Sequence, residues 1–404
     1  MKKPTPLIPL FLVIFIDTFG YFLVMPVILK LFIQTHSALL PTNTSVSVRH
    51  WLYGITLGLS PLAFITLSPF IGRLSDRFGR KRVIAGCLYA SLAGFALPIA
   101  GIAYRHISLI MLGRFIAGAG TTSQPVAQAA ITDFSNGKQR AFNLSLIGFS
   151  MTLAMVAGPL AGSYLSDSNW IAWFSVTTPY WFGTLLAVIN IALLYATFID
   201  TSVSISSTDS KKVSQSRLFS PPLLLVLTAF FMLEMSWSGF YQACFLFLGS
   251  EFHFSTNSIS QFAAYSGLWM SLGLTVVFRF WIKNTKVSRI AATSLIVILV
   301  CLIAQLQFST ASILWLLTAP IALFVGTAYP ALLQRVSEIT PQDHQGWMLG
   351  VASTLLGLAW MITGLIGPQL VTKNDKPILV LCAATIAIGA LCLINNRYKC
   401  RDLD

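Results

Sequence analysis

Long apolar runs, separated by short polar stretches, fill most of the 404-residue chain. A membrane-spanning α-helix needs about 20 consecutive apolar residues, and most of these runs reach that length. Only 10% of the residues are charged, whereas soluble domains have about 25%. The pattern therefore predicts an all-α polytopic membrane protein with twelve spans, at roughly 7–33, 50–72, 83–103, 107–131, 142–164, 176–198, 221–249, 258–282, 290–308, 312–336, 346–370 and 376–396.

A polar connection divides this series of spans into two sets of six. Residues 199–220 contain the serine-rich stretch Ser202–Ser207 and three cations, with no apolar core. Such a composition is typical of a flexible linker. We therefore predict an N-terminal six-helix bundle over 1–198 and a C-terminal six-helix bundle over 221–404.

The distribution of the 26 Lys and Arg residues predicts how the chain is oriented in the lipid bilayer. With both termini placed inside, nineteen of these cations fall in inner segments, five fall at the outer side, and Arg114 and Arg279 lie within spans. Positive loops stay in the cytoplasm, so both termini and the linker are predicted to be cytoplasmic. The net charge of +13 could suggest nucleic acid, but cations spread over short loops indicate membrane topology instead.

A basic turn at 72–82 carries the most distinctive motif of the chain. Gly72 is expected to let two helices approach closely, and Gly79 to permit a sharp reversal. Asp76 is a single carboxylate among cations, so we expect it to be paired or to dock on a helix N-terminus. The sequence G-x-L-S-D-R-F-G-R-K-R resembles very closely the loop between helices two and three of major facilitator superfamily transporters.

This resemblance implies a fold and a mode of action. The fold would have twelve transmembrane helices in two pseudo-symmetric six-helix bundles, working as a secondary transporter by alternating access. The stretch from Ile131 to Arg140 resembles the loop after helix four in the tetracycline-efflux branch. We therefore expect a conformational latch at the inner side, made of Gly72, Asp76, Arg77, Gly79, Arg80, Asp133 and Arg140.

A second motif surrounds Arg114 in the fourth span. Helical spacing from Arg114 places Gly118, Thr121, Pro125 and Gln128 on or near one face, which suits a water-filled cavity. A snorkelling arginine at the outer interface is the alternative. The stretch resembles the R-x-x-x-G-x-G motif of helix four in the same superfamily, which is associated with proton coupling.

A third motif, Gly158-Pro159-Leu160-Ala161-Gly162, lies in the fifth span. Proline removes a backbone hydrogen bond and the glycines permit close packing, so we expect a kink at Gly158, Pro159 and Gly162. The motif resembles the G-P-x-x-G-G helix-five motif of drug–proton antiporters, although Ser163 replaces the last glycine.

Two acidic residues are the strongest candidates for proton and substrate handling. Of thirteen acidic residues, Asp17 and Glu234 lie deep inside spans, at similar depth in the first span of each half. A carboxylate there costs roughly 2.5 to 3.5 kcal/mol on insertion scales, so it needs a purpose or a partner. We expect Asp17 and Arg114 to form the coupling pair, with Glu234 facing the substrate cavity.

Polar and aromatic residues near the middle of the spans are expected to line that cavity, where an aromatic wall suits an amphiphilic organic substrate. They are Tyr21, Thr121, Gln124, Gln128, Trp237, Tyr241, Tyr265, Trp269, Tyr329 and Trp360. A second aromatic cluster, near one outer boundary, is expected to be an interfacial belt instead. It comprises Trp170, Trp173, Tyr180 and Trp181.

The sequence gives no support for an enzyme. It has no P-loop motif for direct use of ATP, no Cys/His spacing for a metal site, and no feature that calls for a cofactor. The leading interpretation is a monomeric antiporter of the bacterial inner membrane that couples protons to the efflux of a small organic compound. An importer or exporter of an anionic metabolite, such as a carboxylate siderophore or a nutrient, is the alternative. A non-transporting membrane sensor or scaffold is a remote one.

Overall fold

The computed structural model describes residues 7–34, 39–133, 137–198, 220–308, 310–341, 344–371 and 376–401. In these stretches the chain is a succession of helices joined by short turns, and none of them contains a β-strand. The helices are α1 (Ile8–Leu23), α2 (Met25–Phe32), α3 (Val46–Phe78), α4 (Arg80–Ala103), α5 (Ile107–Gly120), α6 (Ser123–Asp133), α7 (Gly137–Leu165), α8 (Thr178–Thr197), α9 (Pro221–Glu251), α10 (Thr256–Leu272), α11 (Phe278–Trp281), α12 (Val287–Gln307), α13 (Ala311–Ile339), α14 (Gln345–Ile366) and α15 (Pro377–Arg401). A π-helical segment, Gly273–Val277, connects α10 to α11.

Eleven helical segments of the described chain are long and apolar enough to cross a membrane. They confirm the all-α polytopic membrane class, and α1 and α2 count together as one segment, Ile8–Phe32. The expected span at 107–131 is not one continuous helix, because α5 ends at Gly120 and α6 begins at Ser123.

Pro125 gives a physical reason for the break in this span. A proline has no backbone N–H and its ring clashes with the carbonyl of the residue four positions earlier, which here is Thr121. The Thr121 carbonyl instead accepts the Gln124 N–H at 3.0 Å, as in a tighter turn. The single helical face predicted from Arg114 to Gln128 is therefore wrong beyond Gly120.

The chain divides into two compact units. Unit 1 contains Met1–Ile205 and His253–Ala264, and unit 2 contains Ser206–Phe252 and Tyr265–Asp404. Helix α10 therefore contributes its first turns to unit 1 and its remainder to unit 2. Apart from Ser220, the predicted linker at 199–220 lies outside the described residues, and the predicted boundaries of the two bundles stay a prediction.

Unit 1 has a core around α1. Apolar side chains of α1, α4 and α6 bury one another, including Leu10, Ile14, Ile84, Leu88 and Ile131. Further along the same helix, the side chain of Phe19 packs with Ala154 of α7. Helix α1 is therefore held on several sides, which fixes the direction of its polar residues.

The close packing expected at the helix-five motif is present in α7. A Cβ on Gly158 would come within 2.7 Å of the Phe22 Cβ, and a Cβ on Gly162 would collide with the Leu23 carbonyl oxygen. Pro159 lies inside α7 between these glycines. The motif thus brings α7 against the end of α1 at backbone contact distance.

Candidate functional site

Asp17 lies on α1 and is almost fully buried, with 4% of its surface exposed. Two hydroxyls from other helices donate hydrogen bonds to its carboxylate. The Ser123 Oγ donates to Oδ2 and the Ser91 Oγ donates to Oδ1, the latter at 3.4 Å. Because α6 begins at Ser123, the break in the fourth span places this hydroxyl beside α1. Neither serine was singled out by the sequence, although the Gly-rich stretch before Pro125 was a sign of irregular backbone.

Arg114 lies on α5 and is also buried, with 3% of its surface exposed. Its guanidinium carbon lies 5.2 Å from the centre of the Tyr21 ring, and its backbone carbonyl accepts the Ser60 hydroxyl at 2.7 Å. The Tyr180 phenol is close enough to interact electrostatically with the guanidinium. Within the described part of the chain, the Nε and Nη2 atoms of Arg114 have no hydrogen-bond partner.

The expected contact between Asp17 and Arg114 is absent from this structure. No ion pair joins the two side chains, and each has the different neighbours just described. The guanidinium carbon of Arg114 instead lies over the ring of Tyr21, one helical turn beyond Asp17 on α1. The two residues therefore lie in the same unit as two separate polar positions.

The expected aromatic belt is wrong at Tyr180. Trp170, Trp173 and Trp181 are 64%, 72% and 58% exposed, as an interfacial belt requires, but Tyr180 is 1% exposed. On α8, Tyr180 and Trp181 are adjacent and so point in different directions. Tyr180 belongs with Arg114 instead.

Three predicted cavity residues near these two positions are half-buried. Gln124 donates its side-chain amide to the Thr18 hydroxyl at 3.0 Å, which links α6 to α1 next to Asp17. The Thr121 hydroxyl donates to the Gly118 carbonyl at 2.8 Å. Gln128 lies further along α6.

Glu234 lies on α9 in unit 2 and has 2% of its surface exposed. The Trp360 indole N–H donates to its Oε2 at 3.4 Å. The Tyr329 phenol is close enough to interact electrostatically with the carboxylate. No Lys or Arg of the described residues forms an ion pair with Glu234.

A chain of hydrogen bonds fixes α9 against α14 next to Glu234. The Ser238 hydroxyl donates to the Glu234 backbone carbonyl at 2.6 Å, and the Thr363 hydroxyl donates to Ser238 at 2.8 Å. The Gln242 amide then donates to the Thr363 hydroxyl at 3.0 Å. These contacts set the position of Trp360, which precedes Thr363 on α14.

The predicted aromatic residues of unit 2 fall into two groups and one separate pair. Tyr241 has its ring centre 5.7 Å from that of Trp237 and 6.2 Å from that of Trp360. Tyr265 is 6.1 Å from Trp269 and 5.1 Å from Trp315. Tyr329 packs on Phe230 at 5.6 Å. Trp237 and Tyr241 are both 2% exposed, so the first group is a closed aromatic cluster.

The basic turn has the expected reversal. Gly79 has φ 90°, a conformation that favours glycine, and it separates α3 from α4. Asp76 lies 3.7 Å from Arg80 and its side chain is 58% exposed, so this ion pair is a weak one. The Arg77 guanidinium lies over the Phe78 ring at 5.4 Å.

Gly72 differs from the expectation. A Cβ on Gly72 would meet no atom of the described residues within 4 Å, so close helix approach at this glycine is absent here. The side chains of Asp133 and Arg140 lie outside the described residues. The ion-pair network and the latch therefore stay predictions.

Unit 1 also contains a polar cluster that the sequence did not indicate, at the start of α10. The Asn257 amide donates to Asp167 Oδ2 at 2.8 Å and its oxygen accepts the Ser163 hydroxyl. The Lys30 ammonium donates to the Ser166 carbonyl and hydroxyl, each at 3.0 Å. Two further hydrogen bonds involve α10. The Gln34 amide donates to the Thr256 hydroxyl at 3.3 Å, and the Gln261 amide donates to the Tyr164 hydroxyl at 3.2 Å. We call the contacts of Asn257, Thr256 and Gln261 the α10 clasp.

Comparisons with known proteins agree with this architecture. Residues 10–368 match the family described as Major Facilitator Superfamily. The chain is 28% identical to the tetracycline resistance protein, class C, of Escherichia coli, over 92% of this chain and 90% of that protein. It is 24% identical to the quinolone resistance protein NorA of Staphylococcus aureus, over 87% and 90%. The crystal structure of a D-xylose-proton symporter is similar, with a TM-score of 0.74 at 16% identity, covering 96% of this chain and 97% of the other.

Proposed function

Because the chain belongs to the major facilitator superfamily, and is therefore a multi-pass membrane transporter of small molecules and not an enzyme, we propose that it exchanges protons for a small organic compound and so exports that compound. Two of the similar proteins are named a tetracycline resistance protein and a quinolone resistance protein, which supports efflux. We further propose that it acts as a monomer in the bacterial inner membrane, with both termini in the cytoplasm.

The surroundings of Asp17 are the observation that carries proton coupling. A carboxylate in the middle of a membrane span is costly unless it is neutralised or hydrogen-bonded. The hydroxyls of Ser91 and Ser123 can donate to the ionised carboxylate, and a hydroxyl can equally accept from a carboxylic acid. Asp17 can therefore gain and lose a proton without a change of partners.

Arginine would not allow this exchange, because a guanidinium has only donors and stabilises the ionised form alone. The separation of Arg114 from Asp17 thus supports a role for Asp17 as a carrier of exchangeable protons. Proton exchange and substrate binding therefore need not be assigned to one ion pair of Asp17 and Arg114.

Asp167 in the α10 clasp does not compete for this role. The Asn169 backbone N–H and the Asn257 amide both donate to its carboxylate, and together they hold the pKa of Asp167 below its ordinary value. A carboxyl with a lowered pKa loses its ionised form only when the pH falls through that pKa. Asp167 therefore stays ionised over the neutral and mildly acidic range in which a bacterial proton gradient operates.

Transport by purified protein in proteoliposomes tests the proposed function directly. Tetracycline and a fluoroquinolone are suitable first probes, because the relatives' names point to these classes. An imposed pH gradient should drive accumulation of a transported probe, and an ionophore that collapses the gradient should abolish it. Accumulation that persists after collapse of the gradient would contradict proton coupling.

A further inference from the structure

Two buried arginines of unit 1 differ in how their guanidinium groups are satisfied. Arg49 and Arg114 are 5% and 3% exposed. Each nitrogen of the Arg49 guanidinium donates to backbone carbonyls, namely those of Thr44, Phe32, Gln34 and Pro41 at 2.8 to 3.3 Å. All three guanidinium nitrogens of Arg49 thus have a partner, whereas two of the three in Arg114 have none among the described residues.

The donors left over on Arg114 form a specific arrangement. The Nε–H and one N–H of Nη2 point in parallel from the same edge of the planar group, and both atoms lack a partner among the described residues. Parallel N–H groups at this spacing match the two oxygens of a carboxylate or two oxygens of a phosphate.

No hydrogen bond from the described residues uses that edge. The guanidinium carbon of Arg114 lies over the ring of Tyr21, where a ring and a cation attract each other, but this contact satisfies neither the Nε–H nor the Nη2 N–H. The Tyr180 hydroxyl is a third buried polar group without a partner among the described residues, and it lies near the same guanidinium. A hydroxyl here can donate to the same anion.

No carboxylate of the described protein neutralises Arg114. Asp17, the other buried charge of these helices, uses its two oxygens on Ser91 and Ser123. A buried guanidinium that has neither a counter-charge nor acceptors for its N–H groups is strongly unfavourable, so the unused donors of Arg114 call for an anion that comes from outside the chain.

We propose that Arg114, with Tyr180, binds an oxyanion group of the transported compound, and that the substrates of this transporter are organic anions, carboxylates in particular. This inference rests on the proposed transport function and adds the substrate class. It also separates the work of the two buried charges, with Asp17 handling the proton and Arg114 the substrate.

Thermal unfolding of the purified protein with matched ligands tests the substrate class. The probes are benzoate and naphthalene-1-carboxylate, each compared with its neutral carboxamide at the same concentration. A ligand that binds the folded protein raises the unfolding temperature. We expect a carboxylate to raise it and its carboxamide to do so far less. If neither carboxylate stabilises the wild-type protein more than its carboxamide, the proposal is overturned.

Three variants show whether Arg114 and Tyr180 are the groups involved. Arg114→Lys keeps the charge but loses the parallel donors, and should lose most of the preference for the carboxylate. Tyr180→Phe keeps the ring and should weaken carboxylate binding about tenfold, the value of one hydrogen bond to a charged group. Arg289→Ala removes an exposed cation and should change nothing. A preference that survives both Arg114→Lys and Tyr180→Phe would place the anion elsewhere.

Failure of the anion site can be distinguished from failure of the proposed transport function. A protein that moves neutral or cationic probes in response to a pH gradient, and is indifferent to carboxylates, would leave proton-coupled transport standing and overturn the anion site. A protein that binds carboxylates through Arg114 but does not respond to the pH gradient would support the anion site and overturn proton coupling.

Discussion

Asp17 on α1 of unit 1 and Glu234 on α9 of unit 2 are both buried acids, yet their carboxylates have different partners. Two hydroxyls from α4 and α6 hold Asp17, and a single indole N–H from α14 contacts Glu234. A hydroxyl can donate or accept, whereas an indole can only donate. We therefore propose different tasks for the two buried acids, with Asp17 exchanging protons and Glu234 remaining an acceptor.

The wider surroundings of the Asp17 and Glu234 carboxylates also differ. Both buried arginines of the described chain, Arg49 and Arg114, belong to unit 1. Glu234 instead lies beside Trp360 and near Tyr329, and Trp360 belongs to the aromatic cluster of Tyr241. Unit 1 thus combines charges of both signs, and unit 2 combines one acid with flat apolar surface.

The largest effect is expected from Asp17→Asn. The amide keeps a similar shape and can still bond to Ser91 and Ser123, but it cannot gain or lose a proton. Gradient-driven accumulation should be abolished, while exchange of labelled for unlabelled substrate without a gradient should continue. Accumulation and exchange are measured in the same proteoliposomes, and a variant that still accumulates substrate would put the exchangeable proton elsewhere.

Glu234→Gln should have a smaller effect of another kind. Removal of the charge should change substrate affinity by about tenfold, the value of one hydrogen bond to a charged group, and leave accumulation driven by the pH gradient intact. Affinity is measured by competition and coupling by accumulation. Loss of accumulation with unchanged affinity would exchange the roles assigned to the two carboxylates.

Much of the fold could be predicted from the sequence, because the length and spacing of apolar runs are enough to define membrane helices. The site could be predicted only in part. Asp17, Arg114 and Glu234 stand out as rare charges within apolar runs, but Ser91 and Ser123 do not, since serine is common in such helices. Their role depends on how α4 and α6 pack on α1, which no local pattern encodes.

The break between α5 and α6 is a part of the site that uniform helical spacing did not predict. That spacing extends one face from Arg114 to Gln128, but the helix is interrupted at Thr121 and Thr122, so the spacing does not hold beyond Gly120. Pro125 in the sequence indicates an irregular backbone at this point. The position of Ser123 that results from the break could not be predicted from the sequence.

Ser123→Ala and Ser91→Ala should rank below the two acid variants. Loss of one hydrogen bond to a buried carboxylate destabilises a protein by about 1.5 to 3 kcal/mol, so both should lower stability and weaken coupling without abolishing it. Ser91→Ala should have the smaller effect, because the Ser91 contact, at 3.4 Å, is long for a hydrogen bond between a hydroxyl and a carboxylate. Thermal unfolding and accumulation are the measurements, and equal effects of both variants would mean that neither hydroxyl dominates.

Trp360→Phe should have the smallest effect of the series. An aromatic ring that can pack with Tyr241 is kept, and the N–H that donates to Glu234 at 3.4 Å is lost. Affinity should fall by a few-fold at most, and proton coupling should be unchanged. A change larger than that of Glu234→Gln would show that the aromatic packing, and not the carboxylate, controls this region.

Proton release on substrate binding tests the central claim, that Asp17 carries the exchanged proton. The purified protein is placed in weakly buffered solution between pH 5.5 and 8.5, and a transported compound without a titrating group in that range is added. We predict that the wild-type protein and Glu234→Gln release protons on binding and that Asp17→Asn releases none. Equal proton release from Asp17→Asn and the wild-type protein would contradict it.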